Sequence, residues 1–399
     1  MSDFSENHKR IKVLALIWSM RDGGAQQVVL NHLRAMKEDK VIDYHLVVFD
    51  RITDSVYDKA IVNENLPVKY LSYPKSSVKI PIIRGPFNLA VARKAWEKVI
   101  RSYAPDIIHV HISGLLEQTL DPVIRCKVPV RFDSLHSDPS RYKGIKLIYI
   151  RRAFRNCRFV PVCVTKEQEQ KARERYGFVC SSEVLYNGVD FNAIRKSMVP
   201  RDEARVRLKL PESSFVIAAV GRLDPVKNYP LLMRAFKQLM SVRNDSLLVF
   251  AGEGIVRSEL DDLARKLGIY NNVRFLGRQS DVITMYCAAD VIGMTSFTES
   301  SSLVLLEAQT CGLRCVISSG VPRESIISDR VQQMEKNADE YKWAEALNNT
   351  EYHGIAVCSE KEYMIDGISE KLRDMYIRHW NSYNEQNINI ANNRDGEAY

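Results

Sequence analysis

The chain of 399 residues reads as an α/β protein made of two doubly wound, Rossmann-like domains in tandem, with a cleft between them. Three observations lead there. Short apolar runs of four to eight residues alternate with helical stretches almost throughout, as expected of parallel strands covered on both faces. The alternation occurs in two sets, separated by a polar and charged segment over 191–214. The length suffices for two ordinary cores.

In order, strands are expected over 11–18, 44–49, 106–111, 128–135, 159–164 and 183–186. Gly23-Gly24 opens a helix over 25–36, and another lies near 87–103. The second set has strands over 215–220, 247–251, 273–276, 290–294 and 315–318, with helices between them. The expected domains are 1–195 and 196–368. A helix over 369–383 returns to the first domain, and the Asn-rich tail 384–399 is expected to be disordered.

Hydrophobic content of 45% and charged content of 27% suit a soluble globular protein. No apolar run approaches the ~20 residues of a spanning helix, and 13–18 is too short for a signal-peptide core. Eight scattered cysteines without C-x-x-C or metal spacing read as reduced thiols of a cytoplasmic protein. Charge is uneven: residues 1–200 hold 33 Lys and Arg against 21 Asp and Glu, and the remainder 24 against 28.

Two basic stretches stand out. Lys75, Lys79, Arg84, Arg93, Lys94, Lys98 and Arg101 face only Glu97 between 72 and 102. Arg141, Lys143, Lys146, Arg151, Arg152, Arg155 and Arg158 face no acid at all between 141 and 158. Ile80, Ile82, Ile83, Phe87 and Trp96 interleave with the first, and Leu147, Ile148, Tyr149, Ile150 and Phe154 with the second. Basic amphipathic segments suit an anionic membrane surface. A nucleic-acid face is the rival, but no nucleic-acid module occurs. A plainly solvated basic face fits the same residues.

In doubly wound domains ligands bind where the strands end. The first strand ends at Gly23-Gly24, where backbone N–H groups can approach a phosphate, although glycine turns there also serve packing. The strand over 128–135 ends at His136, which presents an imidazole near a sugar or simply a structural hydrogen bond. In the second domain GRLDPVKN places Arg222 and Lys227 five residues apart on a loop entering a helix. They form a clamp for a diphosphate or a pair of solvated cations. Ala251-Gly252-Glu253-Gly254 imitates half a dinucleotide fingerprint but lacks its third glycine and acidic partner.

The densest signal is SFTESSSLVLLEA over 296–308. Glu299 ends a strand, Ser300, Ser301 and Ser302 offer an N-cap, and a helix over 303–312 carries Glu307 two turns up. Helix-mouth amides favour an oxygen-rich anion, and carboxylates accept from hydroxyls, so a sugar or ribose fits. An ordinary capped helix with one exposed acid fits the stretch as well.

GRLDPVKN, LLVFAGEG, VRFLGR, TESSSLVLLEAQTCG and the earlier LYNGVD, in this order and spacing, resemble the retaining glycosyltransferases of family 4, with the GT-B fold. The resemblance implies transfer of a sugar from a nucleoside-diphosphate sugar, a UDP-sugar favoured, without a bound metal or other cofactor. It implies that Glu299 holds donor-sugar hydroxyls and Glu307 the ribose. Arg222 and Lys227 would steady the diphosphate, with Gly23 and Gly24 close to the phosphates. His136 would lie near the donor sugar, Arg278 around the base, and Ser300, Ser301, Ser302 and Leu303 in the donor loop. Three serines stand where the family often has Gly or Pro, Arg314 where it usually has proline, and VPRESIISDRVQQM replaces a glycine-rich segment. VPRESIISDRV and KWAEAL resemble members acting on bacterial surface polysaccharides, which implies a glycan or lipid-linked acceptor at the cytoplasmic membrane face. A sugar-nucleotide epimerase or phosphorylase on this architecture, or a non-catalytic sugar-nucleotide-binding partner, are the alternatives. Release of nucleoside diphosphate only with acceptor present separates them.

Overall fold

The computed structural model describes residues 9–396, apart from 22, 54, 72–80 and 179. Lys75, Lys79 and Ile80 of the first basic stretch lie outside the described residues, as do the side chains of Ile82, Ile83, Arg84 and Phe87. The chain divides into two compact units: 1–188 with 365–399, and 189–364. The sequence had drawn these limits at 195/196 and 368/369.

The first unit holds a parallel sheet of seven strands: β1 Ile11–Ser19, β2 Ile42–Asp50, β3 Val68–Tyr70, β4 Ile107–His111, β5 Val130–Leu135, β6 Val160–Cys163 and β7 Glu183–Val184. Their order is β3-β2-β1-β4-β5-β6-β7. The second unit holds six parallel strands: β8 Phe215–Val220, β9 Ser246–Ala251, β10 Val273–Phe275, β11 Val291–Met294, β12 Arg314–Ile317 and β13 Val331–Gln333, in the order β10-β9-β8-β11-β12-β13. Both orders reverse direction beside the first strand of the unit, which creates a topological switch point.

Burial explains why these runs are strands. All six residues of β8 and all six of β9 are buried, since helices cover both faces of a parallel sheet. Helices start where a polar side chain takes a first-turn amide: Ser55 before Val56–Asn63, Thr165 before Lys166–Tyr176, Asp281 before Val282–Ala288 and Asp339 before Glu340–Asn348. The strands absent from the sequence reading, β3 and β13, are three-residue edge strands, too short for a periodic signal.

The final helix runs Ile365–Gly396, so it continues through the Asn-rich stretch expected to be disordered. Asn lowers helix propensity only by tenths of a kcal/mol per residue. Its first half is fastened to the first unit by Arg373 on Asp39 at 2.7 Å, and by Arg378 and His379 on Glu183 at 2.9 and 2.7 Å.

Most described arginines of the basic stretches are engaged internally. Arg93 and Arg152 share Asp121, Arg101 and Arg125 share Glu97, and Arg151 and Arg155 donate to the carbonyls of Arg175 and Tyr176. What remains outward on helix Gly144–Asn156 is Ile145, Lys146 and Ile148, with Lys143 before it; Ile148 is 60% exposed. All eight cysteines are free thiols, three of them buried. No described helix is long and apolar enough to cross a membrane.

Candidate functional site

In the second unit the loops after β8, β9 and β10 are laced together by main-chain bonds. Gly221 N–H donates to Ala251 O, Leu223 N–H to Glu253 O, and Gly252 N–H to Gly277 O, at 2.8–3.0 Å. This explains the glycines of AGEG. A Cβ on Gly252 would stand 1.9 Å from Gly221 O, and one on Gly254 would stand 2.2 Å from Leu223 O. Gly252 also has φ +151, a region side chains avoid. The motif is a seam between loops, and that close packing accounts for both glycines.

That seam carries Arg222, which is 55% exposed and only loosely paired with Asp224, at 3.8 Å. It also sets the turn Pro225–Lys227, capped by Asp224 and followed by Asn228 in the left-handed region. Arg278 is exposed on the loop after β10, next to Gly277 at φ +69.

The loop after β11 is tied to the Lys227 turn from the other side. Phe297 N–H donates to Val226 O, and Thr295 Oγ1 donates to Lys227 O and Asn228 O. Glu299 N–H donates to Gly320 O, where a Cβ would stand 2.3 Å from Phe297 O. The result brings two predicted residues together: Lys227 Nζ lies 2.7 Å from Glu299 Oε1, with the side chains 16% and 15% exposed. Ser296 Oγ donates to the same carboxylate oxygen at 2.7 Å.

Ser302 caps the helix Leu303–Thr310, its hydroxyl taking the Leu305 amide at 3.2 Å. The helix ends two residues before Gly312, the limit read from sequence. The first-turn amides that begin at Leu303 have no intrahelical acceptor, and they follow directly on the serine loop. Ser301 Oγ is buried without a partner. Glu307, partly exposed on this helix, accepts from Tyr286 Oη at 2.9 Å. Burial pushes its carboxyl up to about 7, against a smaller opposing effect of the Tyr286 hydrogen bond. Tyr286 was missed by sequence reasoning, because only the packing of helix Val282–Ala288 brings it to Glu307.

Two further residues explain departures from the family pattern. Buried Arg314 points its guanidinium at Ala346 O and Leu347 O, the last carbonyls of helix Glu340–Asn348, where a cation is favoured. Gln309 holds the segment after Gly320: it donates to Ser325 O and accepts from the Ile327 and Ser328 amides, at 2.8–2.9 Å.

In the first unit Gly23 is extended at φ 169, so its backbone does not require glycine, and helix Gly24–Met36 starts without a side-chain cap. His136 follows β5 and is partly exposed. Its Nε2 lies 3.1 Å from His111 Nδ1, and burial lowers its pKa to about 4. The second unit therefore gathers Lys227 with Glu299, and Glu307 with Tyr286, while Gly23, Gly24 and His136 stand at strand ends of the first. Among the described residues no group of three His, Cys, Asp or Glu is placed to hold a metal ion.

Residues 22–193 match the family described as Glycosyltransferase Family 4, and residues 200–351 match Glycosyl transferases group 1. D-inositol 3-phosphate glycosyltransferases of Salinispora tropica and Mycobacterium tuberculosis are each 35% identical, over 181 and 185 residues. These matches cover 41% and 44% of this chain but only 38% and 36% of the relatives, so the chain matches under two fifths of their length. Among solved structures, Anabaena Alr3699/HepE in complex with UDP and glucose superposes with a TM-score of 0.75 at 18% identity, covering 92% of this chain and 99% of that one. WaaG, a glycosyltransferase involved in lipopolysaccharide biosynthesis, gives 0.65 at 15%, covering 93% and 94%. These two likenesses concern the fold.

Proposed function

The chain belongs to the retaining glycosyltransferases of family 4, with the GT-B fold, and we propose that its donor is a UDP-sugar and its acceptor a glycan or lipid-linked sugar of a surface polysaccharide. The observation that carries the donor reading is the Lys227–Glu299 pair at 2.7 Å. It sets a cation for a phosphate directly beside a carboxylate for sugar hydroxyls, and a glycosyl diphosphate presents those two groups side by side. Arg222 and Lys227 steady the diphosphate as charge develops on the leaving group, worth roughly 3 kcal/mol per lost contact in comparable sites. Glu299 and the loop Ser300–Leu303 hold the sugar, Glu307 the ribose and Arg278 the base. Gly23 and Gly24 act on the phosphates, and His136 positions the sugar. Cationic side chains and helix-mouth amides take the role a divalent ion would have, so we expect turnover without a metal. UDP beside glucose in a relative of like fold supports the choice of base.

Nucleoside-diphosphate release tests this. With UDP-glucose and a panel of glycan and lipid-linked acceptors, release should require acceptor and should persist in chelator. Lys227→Ala and Glu299→Ala should each lower turnover by about 10²-fold or more with an unchanged circular-dichroism spectrum. Normal turnover in both variants refutes the assignment.

For the acceptor side we propose contact with an anionic membrane through the outward Ile145, Lys146 and Ile148, each base adding about 1 kcal/mol near the lipid. With most described arginines of the basic stretches committed internally, this face is one part left open to a lipid surface.

A further inference from the structure

Four histidines from three parts of the first unit cluster around His111. His32 lies on helix Gly24–Met36, His109 and His111 on β4, and His136 after β5. The His109 and His111 rings stack at 4.2 Å between centroids, His111 and His136 stack at 5.4 Å, and His32 stands 5.7 Å from His111. His109 is clamped at both nitrogens, by Tyr376 Oη at 2.6 Å and Ser134 Oγ at 2.7 Å. His111 therefore leans on a fixed ring, with its Nδ1 directed at His136 Nε2, 3.1 Å away.

One proton joins those two nitrogens, and its owner follows from the far side of His111. His111 Nε2 is buried without a partner. Were His111 the acceptor at Nδ1, its own proton would sit on Nε2 as an orphaned buried N–H. As the donor from Nδ1 it leaves only an unused lone pair there. Unpaired buried donors are the rarer case, so His111 donates and His136 Nε2 accepts.

We propose that His111 is a positioning residue for His136. It holds the neutral ring in the tautomer protonated at Nδ1, so that His136 offers a hydrogen-bond donor and has no free base nitrogen. Burial disfavours the charged form of both rings, and the neighbouring His109, His136 and His32 add to that at His111. The significance for sugar transfer rests on the role proposed above for His136. It implies that His136 orients a hydroxyl or phosphate oxygen and takes no proton from the acceptor.

The test is spectroscopic and uses the full chain with imidazole-¹⁵N histidine, with signals assigned through His136→Gln. Long-range ¹H–¹⁵N spectra between pH 6 and 8 should show His136 protonated at Nδ1 and bare at Nε2 throughout. In His111→Phe, which keeps a ring and removes the donor, that pattern should be lost. In His111→Asn, whose amide donates from the position of Nδ1, it should return. A wild-type His136 protonated at Nε2, or an unchanged pattern in His111→Phe, overturns the proposal; the wild-type spectrum decides even if that variant fails to fold. Because no sugar is involved, the expected tautomer together with absent UDP-glucose binding would sink the proposed function and leave this inference standing.

Discussion

Glu307→Gln should make the second unit more stable at pH 8 and leave it nearly unchanged at pH 4. The carboxyl has an ordinary value of 4.5 and is raised to about 7 in the folded chain. Between those values the native state binds a proton that the unfolded state does not, so stability falls as pH rises through that window. The part owed to Glu307 is fully present below about 4.5 and gone above about 7. At about 1.4 kcal/mol per unit the loss is up to about 3 kcal/mol, an upper bound because the residue is partly exposed. Glutamine keeps an acceptor for Tyr286 Oη and never ionises. In a unit of this size each kcal/mol moves the melting temperature by roughly 2–4 °C, so the variant should gain up to roughly 10 °C at pH 8. Scanning calorimetry of both proteins at pH 4, 5, 6, 7 and 8 reads it. Groups elsewhere, such as the buried histidines, cancel in the difference. A difference that is flat with pH, or a variant less stable at pH 8, refutes the reasoning. The same change should weaken UDP binding, since a carboxylate is the stronger acceptor for ribose hydroxyls.

Three other outcomes are expected. Arg314→Ala should cost about 2–3 kcal/mol, because Ala346 O and Leu347 O lose their donor inside the core; urea denaturation measures it. Gly252→Ala, placed 1.9 Å from Gly221 O, should open the seam beneath Arg222, seen as lost UDP affinity and faster amide exchange in that loop. Ile148→Asp should reduce co-sedimentation with anionic vesicles while turnover on a soluble acceptor stays within about twofold; absence of wild-type binding at low salt removes the membrane proposal.

The sequence by itself determined the two parallel sheets, because a strand covered on both faces must be apolar along its whole length, and that pattern is local. It also determined the serine cap, since Ser302 acts on the Leu305 amide only three residues away. It named Lys227 and Glu299 as partners of one ligand, but only packing set them 2.7 Å apart, through main-chain bonds between loops some 70 residues distant in sequence. Tyr286 against Glu307, Arg314 on the end of a distant helix and the histidine cluster behind His136 were decided by tertiary structure alone. Each depends on which helix lies over which strand, and on how deeply that places a polar group. Spacing along a chain carries neither.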